Sequence, residues 1–301
     1  MKKIVSVTTL ALCALITGSS LNAGMKLYDP KDPITASSFF TKEEVAVAPK
    51  IVGGVAIDKM VNAYRTGAYV DVETAKSKLT AAGFEVVGTF KPAENGTTIL
   101  YTNAAMKTDA NKVGRGFAAV GRILVDDERK QVHIANPIYF SKASLQDDYN
   151  HNTASAVYTS LESAFGPLTN SEDQWEFTGL ADYHFMIGMP YYKDMGTVGA
   201  GTTVDLVAKV KAAKGIVLQL DADRYIAFVE LDKRTSSFVK KIGTDKAELL
   251  PWAVLIENGE AKALKAEYHI ALSYPLLDLA GFANIMTAPA AVIKSLEKTF
   301  K

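Results

Sequence analysis

The chain has 301 residues, Lys+Arg 33 balanced by Asp+Glu 33, 48% hydrophobic residues and a single cysteine. A polypeptide of this length buries enough apolar surface to fold without metals or disulfides. The balanced charge argues against a nucleic-acid binder, which needs a basic face for the phosphates.

The N-terminus reads as an address. Lys2 and Lys3 precede an apolar stretch from Ile4 to Gly18, and small residues lead to a cleavage point near Ala23. The stretch is too short to span a bilayer, so residues 1–23 are expected to be a cleaved signal peptide and the product periplasmic or secreted. Cleavage removes Cys13 and leaves a slight acidic excess with no thiol, which excludes cysteine nucleophiles, thiolate metal sites and iron–sulfur ligation. No later run is long enough for a transmembrane segment. Residues 24–50, with Asp29-Pro30 and Asp32-Pro33, predict an extended N-terminal arm.

From residue 51 the chain repeats its pattern with a nearly constant shift of 132. Ile51–Ile57 falls on Tyr183–Met189, each predicted as a strand. The amphipathic stretch Val72–Ala82 falls on Val204–Lys214, each a predicted helix closed by a glycine, Gly83 or Gly215. Strands are predicted at Phe84–Phe90 and Ile216–Leu220, then at Thr98–Thr102 and Tyr225–Val229. Hairpins follow at Phe117–Ala135 and at Leu249–Tyr268, the second turning on Asn258-Gly259, where both positions need positive φ. Helices at Leu145–Phe165 and Leu276–Phe300, the latter interrupted near Pro289, close the units. The expectation is an α+β protein of two tandem β-α-β(4)-α units, residues 51–170 and 171–301, with antiparallel sheets packed as a pseudo-twofold pair.

The order of elements, the helix running into Gly83-Phe84 and the strand ending in Ala135-Asn136-Pro137 resemble the family catalogued as domain of unknown function 302. The resemblance is best over Ile51–Phe140; the second unit has Glu267-Tyr268 where the first has Asn136-Pro137. It implies a small α+β fold that pairs through its sheet, and no catalytic residues to carry over.

Several motifs imitate chemistry. Lys50–Gly54 resembles a serine-protease activation site, but no Gly-rich serine turn or cysteine-flanked histidine accompanies it. Gly196–Gly201 precedes a helix, yet lacks the parallel βαβ setting of a dinucleotide site and reads as a loop. On a strand, His184 and Met186 would share one face, and thioether with imidazole suits Cu(I) or, as axial ligands, haem. Arg115 lies between two glycines. Arg122 and His133 are expected opposite one another on a hairpin, where guanidinium and imidazole together could hold a carboxylate or phosphate. The second unit has Ala253 and Leu264 at the equivalent places, so such a site would be single. His151 opens a helix, His269 ends a strand facing Glu248, and Asp126-Asp127-Glu128 is a solvated turn.

No nucleophile–base pair assembles from these residues. The function expected is non-catalytic binding of a small molecule between the units, with Arg115, Arg122 and His133 as ligand-binding residues and no nucleic-acid partner. The alternatives are a copper or haem protein using His184 and Met186, or a structural protein that meets another envelope protein.

Overall fold

The computed structural model describes residues 60–301 and, before them, the backbone of Ile51–Val52 and Val55–Ala56. The expected signal peptide and arm lie outside the described residues. In chain order the elements are β1 (Ile51–Val52), β2 (Val55–Ala56), β3 (Met60–Asn62), β4 (Tyr64–Ala68), α1 (Val72–Ala81), β5 (Glu85–Ala93), β6 (Gly96–Thr102), α2 (Ala104–Ala110), β7 (Gly121–Asp126), β8 (Gln131–Ala135), α3 (Pro137–Leu145) and α4 (His151–Phe165). Then come β9 (Thr169–Asn170), β10 (Gln174–Glu176), β11 (Gly196–Ala200), α5 (Thr203–Ala212), β12 (Ile216–Gln219), β13 (Tyr225–Val229), α6 (Lys233–Ser236), α7 (Val239–Ile242), β14 (Trp252–Glu257), β15 (Glu260–Ala263), α8 (Ala266–Ser273), α9 (Leu279–Asn284) and α10 (Ala288–Thr299). No helix among the described residues is long and apolar enough to cross a membrane.

The fold is α+β, with antiparallel pairing throughout its two large sheets. The first sheet runs β5-β6-β7-β8-β4-β9 and the second β12-β13-β14-β15-β11. Apart from β9, the strand order is the same in both, and β4 and β11 are the matching first strands. They replace Ile51–Ile57 and Tyr183–Met189, which were expected in that place. Ile51–Val52 forms only a short pairing with Val55–Ala56, and Tyr183–Met189 is a run of turns and bends. The shift of 132 survives, because Tyr64 and Gly196 are separated by the same interval.

Strand alternation sends successive side chains to opposite faces. In the first sheet Ile99, Ile123, Val125, Val132 and Ile134 pack on Leu79 of α1 and Leu161 and Phe165 of α4. On the opposite face Leu100 meets Ile226, Phe228, Ala253 and Leu255 of the second sheet. The far face of the second sheet, with Ala227, Val254 and Ile256, is covered by Leu206 and Val210 of α5 and Val292 and Leu296 of α10. The two sheets thus face one another with helices outside.

Local chemistry accounts for the boundaries. Asp71, Asn103, Asn150 and Thr202 cap α1, α2, α4 and α5 by accepting a backbone N–H from the first helical turn. Asn258 and Gly259 take φ of 53° and 74°, as the predicted hairpin turn requires. Gly83 supplies the left-handed residue after α1 (φ 86°), but after α5 it is Lys214 (φ 59°), not the expected Gly215. Gly196–Ala200, read as a loop, is strand β11: a Cβ on Gly199 would stand 2.5 Å from that of Phe300, so its glycine serves close packing. The strand expected to run to Tyr268 stops at Ala263, and Tyr268 and His269 belong to helix α8.

Arg122, on β7, crosses the space between the sheets. Its Nη1 donates to the carbonyls of Glu248 (2.7 Å) and Leu249 (2.8 Å), and its Nη2 to that of Pro251 (2.9 Å). Its guanidinium lies 5.4 Å from the Phe228 ring centroid. Burial draws its pKa down to about 10, so it stays charged at neutral pH. Arg122→Met keeps the aliphatic stem but strands three carbonyls, and is expected to destabilise the fold by roughly 3 kcal/mol. Urea unfolding checks this: the midpoint should fall with an unchanged slope, and a loss below about 1 kcal/mol would show that the clamp is dispensable.

Candidate site between the sheets

Above Arg122 the two sheets and helices α3 and α8 enclose a cavity of ≈ 80 Å³. Matching elements contribute matching positions to its wall. Arg122 and Ala135 line it from the first sheet, Ala253 and Leu264 from the second. Phe140, the fourth residue of α3, lines it opposite His269, the fourth of α8; Ser144 and Ser273, the eighth of each, line it too. Tyr101, Phe117, Phe228 and Leu249 complete a largely apolar enclosure. Tyr101 reaches the wall because its cross-strand neighbour is Gly121, where any Cβ would overlap the phenol ring.

The polar groups in and behind this wall are of two kinds. One kind is satisfied. His133 Nδ1 lies 2.9 Å from Glu248 Oε1, and the Tyr274 hydroxyl, which donates to the Lys246 carbonyl at 2.8 Å, lies 3.3 Å from the same oxygen. The Tyr64 ring stacks between His133 (4.6 Å) and Tyr274 (5.6 Å). Burial first, then the Glu248 charge, raises the pKa of both Tyr64 and Tyr274 well above normal, so both phenols remain neutral donors.

The other kind has no partner. Glu248 is 1% exposed, yet its Oε2 makes no hydrogen bond; the Tyr101 hydroxyl and both ring nitrogens of His269 are likewise buried and unpaired. The His269 ring meets only the Trp252 edge in a T-shaped contact at 5.0 Å. Burial, reinforced by the Arg122 charge, lowers its pKa to about 3, leaving it a neutral imidazole. A buried, unpaired polar group costs about 1–3 kcal/mol; Arg65 Nε, Thr98 Oγ1, Tyr183 Oη, Trp252 Nε1 and Tyr268 Oη are unpaired as well, at places that do not line the cavity. A smaller space beside the cavity shares its Met106, Ala118, Pro137 and Ser141 walls, and one of its own wall residues, Asp109, also has an unpaired oxygen, Oδ2.

Of the residues singled out from sequence, Arg122 lines this site and His133 lies behind its wall against Glu248, both with their roles changed. His133 pairs with Leu124, not Arg122, so the two share a face one step apart along the strands. The carboxylate that His133 meets is the chain's own Glu248, and Arg122 is occupied by carbonyls. Arg115 stands elsewhere, pairing through Nε with Asp148 (2.9 Å) and lying over Tyr192.

His184 and Met186 lie in the turn region, so the strand face that grouped them does not exist; the His184 ring packs against Tyr191 at 4.4 Å. Groups of three or more His, Cys, Asp or Glu able to hold a metal are absent among the described residues. His269 does not pair with Glu248. Asp126 is buried, not solvated, and accepts from the Glu128 and Arg129 amides. His151 sits between Tyr149 Oη and Ser155 Oγ, each at 2.9 Å.

The sequence reading missed Tyr101 altogether and met Glu248 and His269 only as an expected ion pair. No family model, curated protein or solved structure matches the chain.

The depressed His269 pKa makes stability depend on pH. The unfolded chain binds a proton near pH 6.5 and the folded one only near 3, so stability is lost as pH falls below about 6.5. Asp173, whose pKa burial raises, contributes in the opposite sense at lower pH. Comparing wild type with His269→Phe isolates the histidine: the variant should gain about 2 kcal/mol relative to wild type between pH 7 and pH 5. Parallel stability curves would show that His269 titrates normally.

Proposed function

We propose that this chain is an exported, non-catalytic binding protein that holds a small molecule in the cavity between its two sheets. The observation that carries the reading is a largely apolar cavity walled by both sheets and by α3 and α8, with Arg122, Glu248 and His269 among its lining residues. A cavity of ≈ 80 Å³ is several times the space one water needs and about half of one that admits benzene, so the occupant has on the order of five non-hydrogen atoms. Turnover is disfavoured because the hydrogen-bonded serine–histidine pair Ser155–His151 lies on α4, away from this wall. The signal-like residues 1–23 support export, and the doubled strand order supports two tandem units resembling the family named above.

Ala118 lines both the cavity and the space beside it, so Ala118→Leu fills them without introducing a polar group. Native mass spectrometry of the protein taken from its own source should show an added mass of small-molecule size in wild type and the bare chain in Ala118→Leu. The bare chain in both, or the same adduct in both, would overturn the reading.

A further inference from the structure

We propose that the outer edge of β11 pairs antiparallel with the β11 edge of a second copy of this chain, joining two five-stranded sheets into one continuous sheet.

The two sheets differ at their matching first strands. In the first sheet β4 lies between β8 and β9, so both of its edges are paired. Arg65 and Thr66 pair with Asn170 and Thr169 of β9, and the Ser171 amide extends the cover by donating to the Tyr64 carbonyl at 3.0 Å. In the second sheet β11 pairs with β15 on one side, and among the described residues no strand stands on the other. Thr197 and Ala200 on this strand are exposed. An open edge presents a row of N–H and C=O groups that a further strand can satisfy.

Edge strands are commonly blunted by lysine, proline or a bulge. β5, the edge strand of the first sheet, carries Lys91 and Pro92, and its Gly88 lies against Ile216 of β12. β11 reads Gly-Thr-Val-Gly-Ala and has neither residue. It does have a bulge, at Val198, but that side chain is buried in the core below the sheet, and the residues on either side of it keep their pairing with β15. The strand therefore continues through the bulge with small side chains on both sides of it.

The flanks of β11 favour a second copy as the partner. Antiparallel pairing lays the segment before one β11 beside the segment after the other. Before the strand stand Tyr191, 39% exposed, and the exposed Lys193; after it stand Val204, 77% exposed, and the exposed Asp205. Asp194, the other charge before the strand, is engaged by the Tyr191 amide at 2.9 Å. Two copies about a twofold axis bring lysine toward aspartate and tyrosine toward valine, and they do so twice.

Sedimentation of the full chain over a dilution series from millimolar to submicromolar, with hydrogen exchange read at both ends of it, tests the proposal. A monomer–dimer equilibrium is expected, with β11 amides exchanging more slowly in the dimer. Thr197→Lys combined with Ala200→Lys charges both exposed positions and should weaken the dimer about tenfold while the urea midpoint stays in place. Lys193→Asp should weaken it about fivefold, and adding Asp205→Lys should restore it. A chain that stays monomeric overturns the proposal, whether the β11 amides exchange freely or are protected at every concentration by another part of the same chain. A dimer that both the lysine pair and Lys193→Asp leave intact uses another surface and overturns it equally.

Discussion

A guanidinium cannot be taken out of water without partners, and this constraint organises the space between the two sheets. Arg122 begins on the first sheet and ends on three consecutive-turn carbonyls of the segment that leads into β14 of the second. To satisfy them it must hold residues 248–251 against the first sheet. That placement brings Glu248 within reach of His133, which shares Arg122's face of the sheet, and puts Tyr274 beside both. Buried charge, buried carboxylate and stacked phenols are therefore one connected assembly, in which removing any member strands another.

The same clamp explains why the site is single although the strand order is doubled. Counted outward from the second hairpin turn, Arg122 has Ala253 as its counterpart and His133 has Lys262, not the expected Leu264, which matches Ala135; Arg122 and Ala253 both line the cavity. A long side chain from one sheet needs short ones across from it, and Ala253 supplies the room.

Sequence periodicity shows faces, not partners, and this sets how much was readable. The hairpin at Asn258-Gly259, the helices α1 and α5 and the interval between the repeats all rest on local rules and follow from residues within a turn or two of each other. The register of β7 on β8 depends on the true loop, with Lys130 in the left-handed region, and so Arg122 is displaced from His133. Glycine misled at β11, where it permits close approach of Phe300 and not a flexible loop. The contacts that define the site join residues more than a hundred positions apart, such as His133 and Glu248, or arise from an omission, as with Tyr101 over Gly121. No local pattern encodes either.

His269 shows that an unpaired group in this wall is not required by the helix that carries it. Its matching position on α3 is Phe140, which faces the same cavity with no polar atom to satisfy. The helix that follows β8 and the helix that follows β15 begin from equivalent places, so the geometry that accepts phenylalanine in one has no structural requirement for imidazole in the other. Imidazole there is buried, held neutral by its surroundings and lacking a partner for either nitrogen. An apolar ring would avoid that penalty altogether, as Phe140 does. The cost of that choice is what the pH dependence of stability reports, since protonation of the imidazole is favoured in the unfolded chain and opposed in the folded one.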